Sequence, residues 1–192
     1  MDDQLKFDGH IEAQVKKANR LLGLIRRSFQ YLDSETFCLL YKSMVRPHLE
    51  YGHVVYYPRY ERQVALLEGV QRRGTKMVSD LRDLPYSERL RRLDLPSLVH
   101  RRKRGDLIEA YKYLHDKYKV EPCPFVVDNS FTRGHNFKVK KPSCKTNYFS
   151  LRVVNDWNNL PCDVAEAPTL NCFKSRLDRH LREEKFQHHP RD

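Results

Sequence analysis

The clearest hydrophobic pattern in the chain lies between residues 11 and 29. Its apolar positions recur at spacings of three and four, at Ile11, Val15, Ala18, Leu22, Ile25 and Phe29. This spacing places them along one side of an α-helix, so the stretch predicts an amphipathic helix with Phe29 on its buried side. Basic residues occupy the other faces, at Lys16, Lys17, Arg20, Arg26 and Arg27. We interpret Lys16 and Lys17 as part of a solvated surface.

A second helical pattern starts near Thr36. Asp33 or Ser34 is suited to accept hydrogen bonds from the free amides at the start of this helix. Pro47 has no amide hydrogen and pushes against the preceding turn, so the pattern predicts a kink or a restart there, and a stop near Pro58. The apolar side of this helix is formed by Phe37, Leu40, Tyr41, Met44 and Val45.

Three further helices are predicted in the centre of the chain. The first covers 59–80 and places Gly74 at a close helix contact. A short helix over 86–93 and a long helix over 97–118 follow. The basic run from His100 to Arg104 surrounds the long helix, and because burying so many charges is costly, we expect this turn to face solvent or a polyanion. The inward positions of the first helix are Val64, Leu67, Val70 and Met77.

The pattern becomes irregular after residue 119. A proline-containing linker leads into a polar, basic stretch that suggests two short strands or ordered coil. Helices are predicted again over 149–158 and after a cap at Thr169 or Asn171, followed by a frayed tail. The expected fold is therefore mainly α. Its parts are 1–10, which resembles the last strand of a sheet, a helical bundle with its connector over 11–119, and a smaller, basic α/irregular subdomain over 120–192.

The charge of the chain is strongly positive. Its formal net charge is +11 over 192 residues, with a pI near 9.5. This charge indicates a polyanionic partner, and nucleic acid is favoured over a membrane surface. The alternative interpretation is a basic surface without a dedicated ligand. No apolar run approaches the roughly 20 residues that span a bilayer, and the polar start is unlike a secretory signal, so we expect no membrane partner.

Catalytic and metal-binding patterns are weak in this sequence. The five cysteines include no pair at a usual zinc-ligand spacing. A zinc site could be drawn only from widely spaced residues, namely Cys123, Cys144, Cys162, Cys172 and His135. Asp2 and Asp3 lie at the very start, where nothing holds them rigidly. Phosphate-binding glycine motifs are missing. We therefore expect no cofactor, no metal and no catalysis. Free thiols are typical of an intracellular protein, nuclear or cytoplasmic.

The remaining chemical signal is basic residues with aromatic neighbours. If the central helices pack as a bundle, these cations line one groove and bind phosphates without sequence choice. The tyrosines at positions 51, 56, 57 and 60 either stack on bases or belong to the core with their hydroxyls at its rim. The candidate nucleic-acid-binding residues are Arg46, Arg72, Arg73, Lys76, Arg101, Arg102, Lys103 and Arg104.

Five stretches together resemble one protein family. They are KANRLLGLIRRSF (17–29), LLYKSMVRPHLEYG (39–52), LLEGVQRRGTKMV (66–78), LPYSERLRRLDLPSLVHRRKRGDLIEAYKYL (84–114) and FSLRVVNDWNNLP (149–161). In this order they resemble the C-terminal part of reverse transcriptases of non-LTR retrotransposons, the LINE-type and jockey-like elements. The chain departs from that family at Tyr56-Tyr57-Pro58, where a tryptophan is usual, and at Gly74, where an alanine is usual.

The resemblance implies a polymerase thumb that clamps a template–primer duplex. Residues 1–10 then correspond to a remnant of the palm edge, and residues 11 to about 80 to the thumb. The expected partner is an RNA or RNA–DNA duplex, held by its backbone, together with the polymerase domains that this chain lacks. Arg46, Arg72, Arg73 and Lys76 fall in the matching motifs. No polymerase activity is expected of this chain, because the palm and its catalytic aspartates are missing from it.

Two other interpretations remain open at this point. The chain is a helical protein-interaction module if the face that would pack against a palm docks another protein instead. The other interpretation is that the chain is the product of a degenerate open reading frame and has no selected role.

Overall fold

The computed structural model describes residues 7–58, 60–118, 123–128, 134–141 and 149–187. Its helices are α1 (Asp8–Ser28), α2 (Ser34–Leu40), α3 (Arg46–Glu50), α4 (Glu61–Thr75), α5 (Tyr86–Arg92), α6 (Leu98–Leu114), α7 (Phe149–Asn158), α8 (Cys162–Ala165) and α9 (Leu170–His180). Within these ranges, paired extended backbone is limited to one antiparallel bridge between Val127 and Val139. The predicted mainly α fold is confirmed.

Several of the sequence expectations fall wholly or partly outside the described residues. They concern the strand-like start with Asp2 and Asp3, the two short strands or ordered coil expected before residue 149, the potential ligand Cys144 and the frayed tail after residue 187. The described parts of the two chain ends differ from these expectations. Asp8 to His10 form the first turn of α1, and the Asp8 carboxylate accepts a 2.7 Å hydrogen bond from Gln63 on α4. Near the other end, the carbonyl of Lys185 accepts a 3.0 Å hydrogen bond from the amide of Ser97.

The chain divides into two compact units. The first is residues 1–102 with 184–192, and the second is residues 103–183. This division falls within α6, whereas the sequence pattern placed it at 119/120. The reason is that the second half of α6 contributes to the core of the second unit, through Leu107, Ile108, Ala110, Tyr111 and Leu114. A continuous helix gives no local signal for such a boundary.

In the first unit, α1 and α4 lie side by side and run in the same direction. Arg62 donates to Asp8 over 3.0 Å and Arg73 donates to Asn19 over 2.9 Å, and each pair is 54 residues apart in sequence. Gly74 allows this close packing, since a Cβ there would lie 3.3 Å from a methyl group of Leu22. The predicted close contact at Gly74 is confirmed.

The helix α1 ends one residue earlier than predicted, and its buried stripe ends at Ile25. Ile11, Val15, Leu22 and Ile25 are buried, but Phe29 is 39% exposed. Its backbone is extended, with φ −126° and ψ 122°, because α1 ends at Ser28. The prediction that Phe29 lies on the buried side is therefore wrong.

The helical backbone runs through Pro47 without the predicted restart, and it ends at Glu50, earlier than the stop predicted near Pro58. Asp33 caps α2 by accepting from the amides of Glu35 and Thr36, both over 2.9 Å. Between α2 and α3 the residues Tyr41–Val45 form a π-helical segment, in which the amide of Arg46 donates to the carbonyl of Tyr41. This wider turn fits the missing amide and the bulk of Pro47 just beyond it.

A buried hydrogen-bond network fixes α4 in the first unit. The Tyr86 hydroxyl donates to Glu68 over 2.6 Å, and the first amide of α6, at Leu98, donates to the same carboxylate over 3.1 Å. The Tyr41 hydroxyl donates to Gln71 over 2.6 Å. Burial raises the pKa of Tyr86 and of Tyr41 above their usual range, so both hydroxyls remain protonated donors.

The second unit is organised around Trp157. This side chain is fully buried, and its indole N–H donates to the carbonyl of Phe137 over 2.7 Å. The Tyr111 hydroxyl donates to the carbonyl of Ala167 over 2.7 Å. Thr169 caps α9 by accepting from the amide of Cys172, so one of the two predicted caps is confirmed.

Candidate nucleic-acid interface

The basic run at 100–104 is largely enclosed by the protein. His100 is 6% exposed and Arg102 is 3% exposed, so the prediction that this whole turn faces solvent or a polyanion is wrong. Arg101, Lys103 and Arg104 are half-buried. Carboxylates from other parts of the chain pair with these three half-buried cations.

In the first unit, Arg101 and Arg46 share one carboxylate. Arg101 holds Glu50 in a bidentate pair through its Nε and Nη2 atoms, the second over 3.0 Å. Arg46 Nε lies 3.9 Å from the same carboxylate. The hydrogen bond to Glu50 raises the pKa of Arg101, whereas burial and then the charge of Arg101 lower the pKa of Arg46. One of these two positive charges is therefore neutralised.

Lys103 and Arg104 belong to the second unit and pair with acids there. Lys103 Nζ lies 3.6 Å from an oxygen of Asp156. Arg104 binds Asp178 through two hydrogen bonds, of which the Nη2 bond is 2.9 Å long. Arg104 is thus held in a fixed position by a carboxylate from α9, which reduces its attraction for a further anion.

Arg72 packs against an aromatic ring of the first unit. Its guanidinium carbon lies 5.0 Å from the centre of the Tyr86 ring, and that of Arg89 lies 5.5 Å from the same centre. The buried Arg89 also donates to the Thr75 hydroxyl over 3.0 Å. Both arginines therefore hold the C-terminal turn of α4 onto α5, which is a structural role.

The other two candidates of the first unit, Arg73 and Lys76, line a concave surface that we call the basic cavity. It has a volume of about 500 Å³ and lies between the C-terminal ends of α1 and α4 and the 3-10 turn Ser79–Leu81. None of the described residues that line it is acidic. Its positively charged residues are Arg26, Arg27, Arg73, Lys76 and Arg82.

The cations of the basic cavity are not compensated within the described structure. Among the described residues, no carboxylate pairs with Arg26, Arg27, Lys76 or Arg82. Arg73 donates to the uncharged Asn19. The C-terminal ends of α1 and α4 each contribute roughly half a negative charge, about one in total. Five cations outweigh that charge, so the cavity remains strongly positive.

A second cleft continues the positive surface along α1. It has a volume of about 420 Å³ and is lined by Lys16, Asn19, Arg20, Gly23 and Arg27. Arg27 lines both cavities. An Nη1 atom of Arg27 lies 3.7 Å from where a Cβ of Gly23 would be, so the guanidinium lies over this glycine. We call the two clefts together the basic strip.

Of the eight candidate residues, the structure brings only Arg73 and Lys76 into the basic strip. Sequence reasoning did not name the other cations of the strip as candidates, namely Lys16, Arg20, Arg26, Arg27 and Arg82. The spacing of Arg20, Gly23 and Arg27 placed them on one polar face of α1, which was a usable signal. Arg82 follows the 3-10 turn Ser79–Leu81, and no periodicity relates it to the residues of α1.

The tyrosines divide between packing and exposure. The Tyr56 ring stacks on His10, with centroids 3.8 Å apart and planes at 16°. Gly52, at φ +59°, makes room for that ring, because a Cβ would lie 2.7 Å from it. Burial, and then the charge of Lys17, lower the pKa of His10. Tyr51 remains 63% exposed.

Within the described ranges, no three or more His, Cys, Asp or Glu side chains are grouped so that they could hold a metal ion. No described helix is both long and apolar enough to cross a membrane. No protein-family model, no curated protein and no solved structure matches this chain.

Proposed function

We propose that the first unit binds the sugar–phosphate backbone of nucleic acid through the basic strip. The observation that supports this is the gathering of five uncompensated cations on one concave surface without an acidic neighbour among the described lining residues. Like charges repel one another, and a bound anion relieves this repulsion. A surface that holds five cations together therefore attracts anions strongly. Backbone contact carries no sequence information, and the binding is therefore non-specific.

The dimensions of the strip suit several phosphates. Lys16 and Arg27 are eleven residues apart on α1, which corresponds to about 16 Å at about 1.5 Å per residue. That length spans about five nucleotides at about 3.4 Å per nucleotide of one strand. About five phosphate contacts would make the logarithm of the binding constant fall with the logarithm of salt concentration with a slope of about −3.5 to −4.5.

The resemblance to non-LTR retrotransposon reverse transcriptases supports the same surface. The matching stretches 17–29 and 66–78 supply four of the five cations of the basic cavity, namely Arg26, Arg27, Arg73 and Lys76. We therefore propose that the first unit corresponds to the thumb of such an enzyme and clamps an RNA or RNA–DNA duplex. In this proposal the chain itself performs no polymerase chemistry.

The test is a pair of matched charge reversals. Lys76→Glu changes a cation of the basic cavity, and Lys42→Glu makes the same change at an exposed lysine that lines neither cavity. Affinity for a short RNA–DNA duplex, measured by fluorescence anisotropy at several salt concentrations, should fall several-fold more in the Lys76 variant. Binding that does not depend on salt, or equal losses in both variants, would overturn the proposal.

A protein-interaction module is the second candidate. Two large apolar side chains of the first unit, Tyr31 and Leu39, are 62% and 68% exposed. Such residues suit a protein contact better than a phosphate contact. Sedimentation of the nuclease-treated protein would favour this candidate if it revealed a dimer that Leu39→Lys dissociates and Lys76→Glu does not.

A further inference from the structure

Phe29 stands out among the residues that line the basic cavity. It is a large apolar ring, 39% exposed, in a cavity whose charged residues are all cations. It makes no ring or cation–π contact with a described residue.

The position follows from the end of α1. Phe29 leaves the helical stripe because its backbone is extended, and its amide still donates to the carbonyl of Ile25. Phe29 consequently lines the cavity together with Arg26 and Arg27 and does not continue the buried stripe that ends at Ile25. The backbone that places the ring is thus held by the last helical hydrogen bond.

The cavity combines three kinds of group that one nucleotide requires. The cations suit a phosphate, and the Phe29 ring suits the flat face of a base. Gln30 and Ser79 also line the cavity, and their side chains can both donate and accept hydrogen bonds, as base edges require. The volume of about 500 Å³ falls in the range of about 300 to 1,000 Å³ typical of small-molecule sites.

We infer that the basic cavity binds an unpaired nucleotide, with its base stacked on Phe29 and its phosphate on the surrounding cations. In a duplex the bases are stacked on one another and only their edges are accessible, so the ring can reach a base only in a single strand or an overhang. The inference rests on the proposed backbone binding and adds a preference for single-stranded nucleic acid. Stacking of one base on an aromatic ring contributes about 1 to 3 kcal/mol.

The test compares three probes on the full chain. They are a short single-stranded RNA, the same strand with abasic sites, and a blunt RNA–DNA duplex with the same number of phosphates. Phe29→Leu keeps an apolar side chain but removes the ring, and Phe29→Trp keeps a ring. The leucine variant should bind the single strand about tenfold more weakly, which corresponds to about 1.4 kcal/mol. It should bind the abasic strand and the duplex as the wild type does, and the tryptophan variant should retain single-strand affinity.

Several results would overturn the inference, and they are separable from failure of the proposed function. If Phe29→Leu binds the single strand as tightly as the wild type does, while Lys76→Glu binds every probe more weakly, the proposed base site is ruled out. The proposed backbone binding is then still supported. If Lys76→Glu and Lys42→Glu lose the same amount of nucleic-acid affinity, both the base site and the proposed backbone binding are ruled out. Absent RNA binding together with binding to phosphatidylcholine vesicles that contain phosphatidylinositol bisphosphate would assign the cavity to a lipid headgroup. Thermal melting of the Phe29 variants verifies that they fold, as expected for a partly exposed position.

Discussion

Arg73 on α4 donates a hydrogen bond to the side-chain oxygen of Asn19 on α1, and the two atoms are 2.9 Å apart. The partner is uncharged, so it orients the guanidinium without neutralising it. Arg101 differs, because its bidentate partner is the carboxylate of Glu50. This difference separates a cation that stays available to a phosphate from one whose charge is already used within the fold.

Replacing the neutral partner of Arg73 by an acid should weaken nucleic-acid binding. Asn19→Asp preserves the size of the side chain and pairs Arg73 with a carboxylate. We expect the affinity to fall several-fold and the magnitude of the salt slope to decrease by about 0.7 to 0.9, equivalent to one phosphate contact. Anisotropy titrations at several salt concentrations measure both quantities. Asn19→Ala, which leaves Arg73 charged, is the control, and an equal change in slope for both variants would contradict the prediction.

Removing the carboxylate of Glu50 should affect stability and not binding. Glu50→Gln leaves the half-buried side chains of Arg46 and Arg101 close together without a counter-charge. Because the site is partly solvated, we expect the free energy of unfolding to fall by about 1 to 2 kcal/mol. Urea denaturation measures this change. The matched variant Glu12→Gln, at an exposed position of α1, should have little effect, and lower nucleic-acid affinity in Glu50→Gln would argue against the structural assignment.

The Tyr86 hydroxyl should contribute measurably to the stability of the first unit. Tyr86→Phe keeps the ring against which Arg72 packs but removes a hydrogen bond to the buried carboxylate of Glu68. A buried acceptor that loses its donor costs about 1 to 3 kcal/mol. Denaturant unfolding should detect that loss, whereas Tyr31→Phe, at a residue that is 62% exposed, should leave the free energy unchanged. A neutral effect of Tyr86→Phe would mean that this bond does not stabilise the fold.

The second unit should lose stability in mild acid. Burial lowers the pKa of His115 and of His135 below the ordinary value of 6.5, although a hydrogen bond to a backbone carbonyl opposes the shift in each case. Below pH 6.5 the unfolded chain therefore binds more protons at these positions than the folded chain does. Its free energy of unfolding should decrease as the pH falls from 6.5 through the lower folded pKa values, and remain flat above that range.

A glutamine at position 135 tests this linkage. Glutamine does not titrate, and its amide can still donate to the carbonyl of Trp157, which lies 3.1 Å from His135 Nε2. The pH dependence of unfolding, measured by denaturant titration between neutral and mildly acidic pH, should become shallower in His135→Gln. An unchanged slope would show that the histidine is not responsible.

Local sequence signals predicted the elements well because their causes are local. The three-and-four spacing from Ile11 to Ile25 produces the buried stripe of α1, and Asp33 and Thr169 cap the helices that follow them. The same pattern was wrong for Phe29, because where a helix ends depends on the conformation of a single residue. It also could not place the boundary between the two units within α6.

The sequence by itself determined a mainly helical chain, its caps and its excess of positive charge. Only the tertiary structure decided which of those charges remain available. Glu50 is 51 residues from Arg101 in sequence, and Asp178 is 74 residues from Arg104, so no local spacing reveals that these acids pair with these two arginines. Folding also brings Arg26, Arg73 and Arg82 into one cavity, because α1 and α4 run parallel and the chain that follows α4 lines the same surface. The net charge follows from the composition alone, whereas a binding surface depends on which charged side chains remain unpaired after folding.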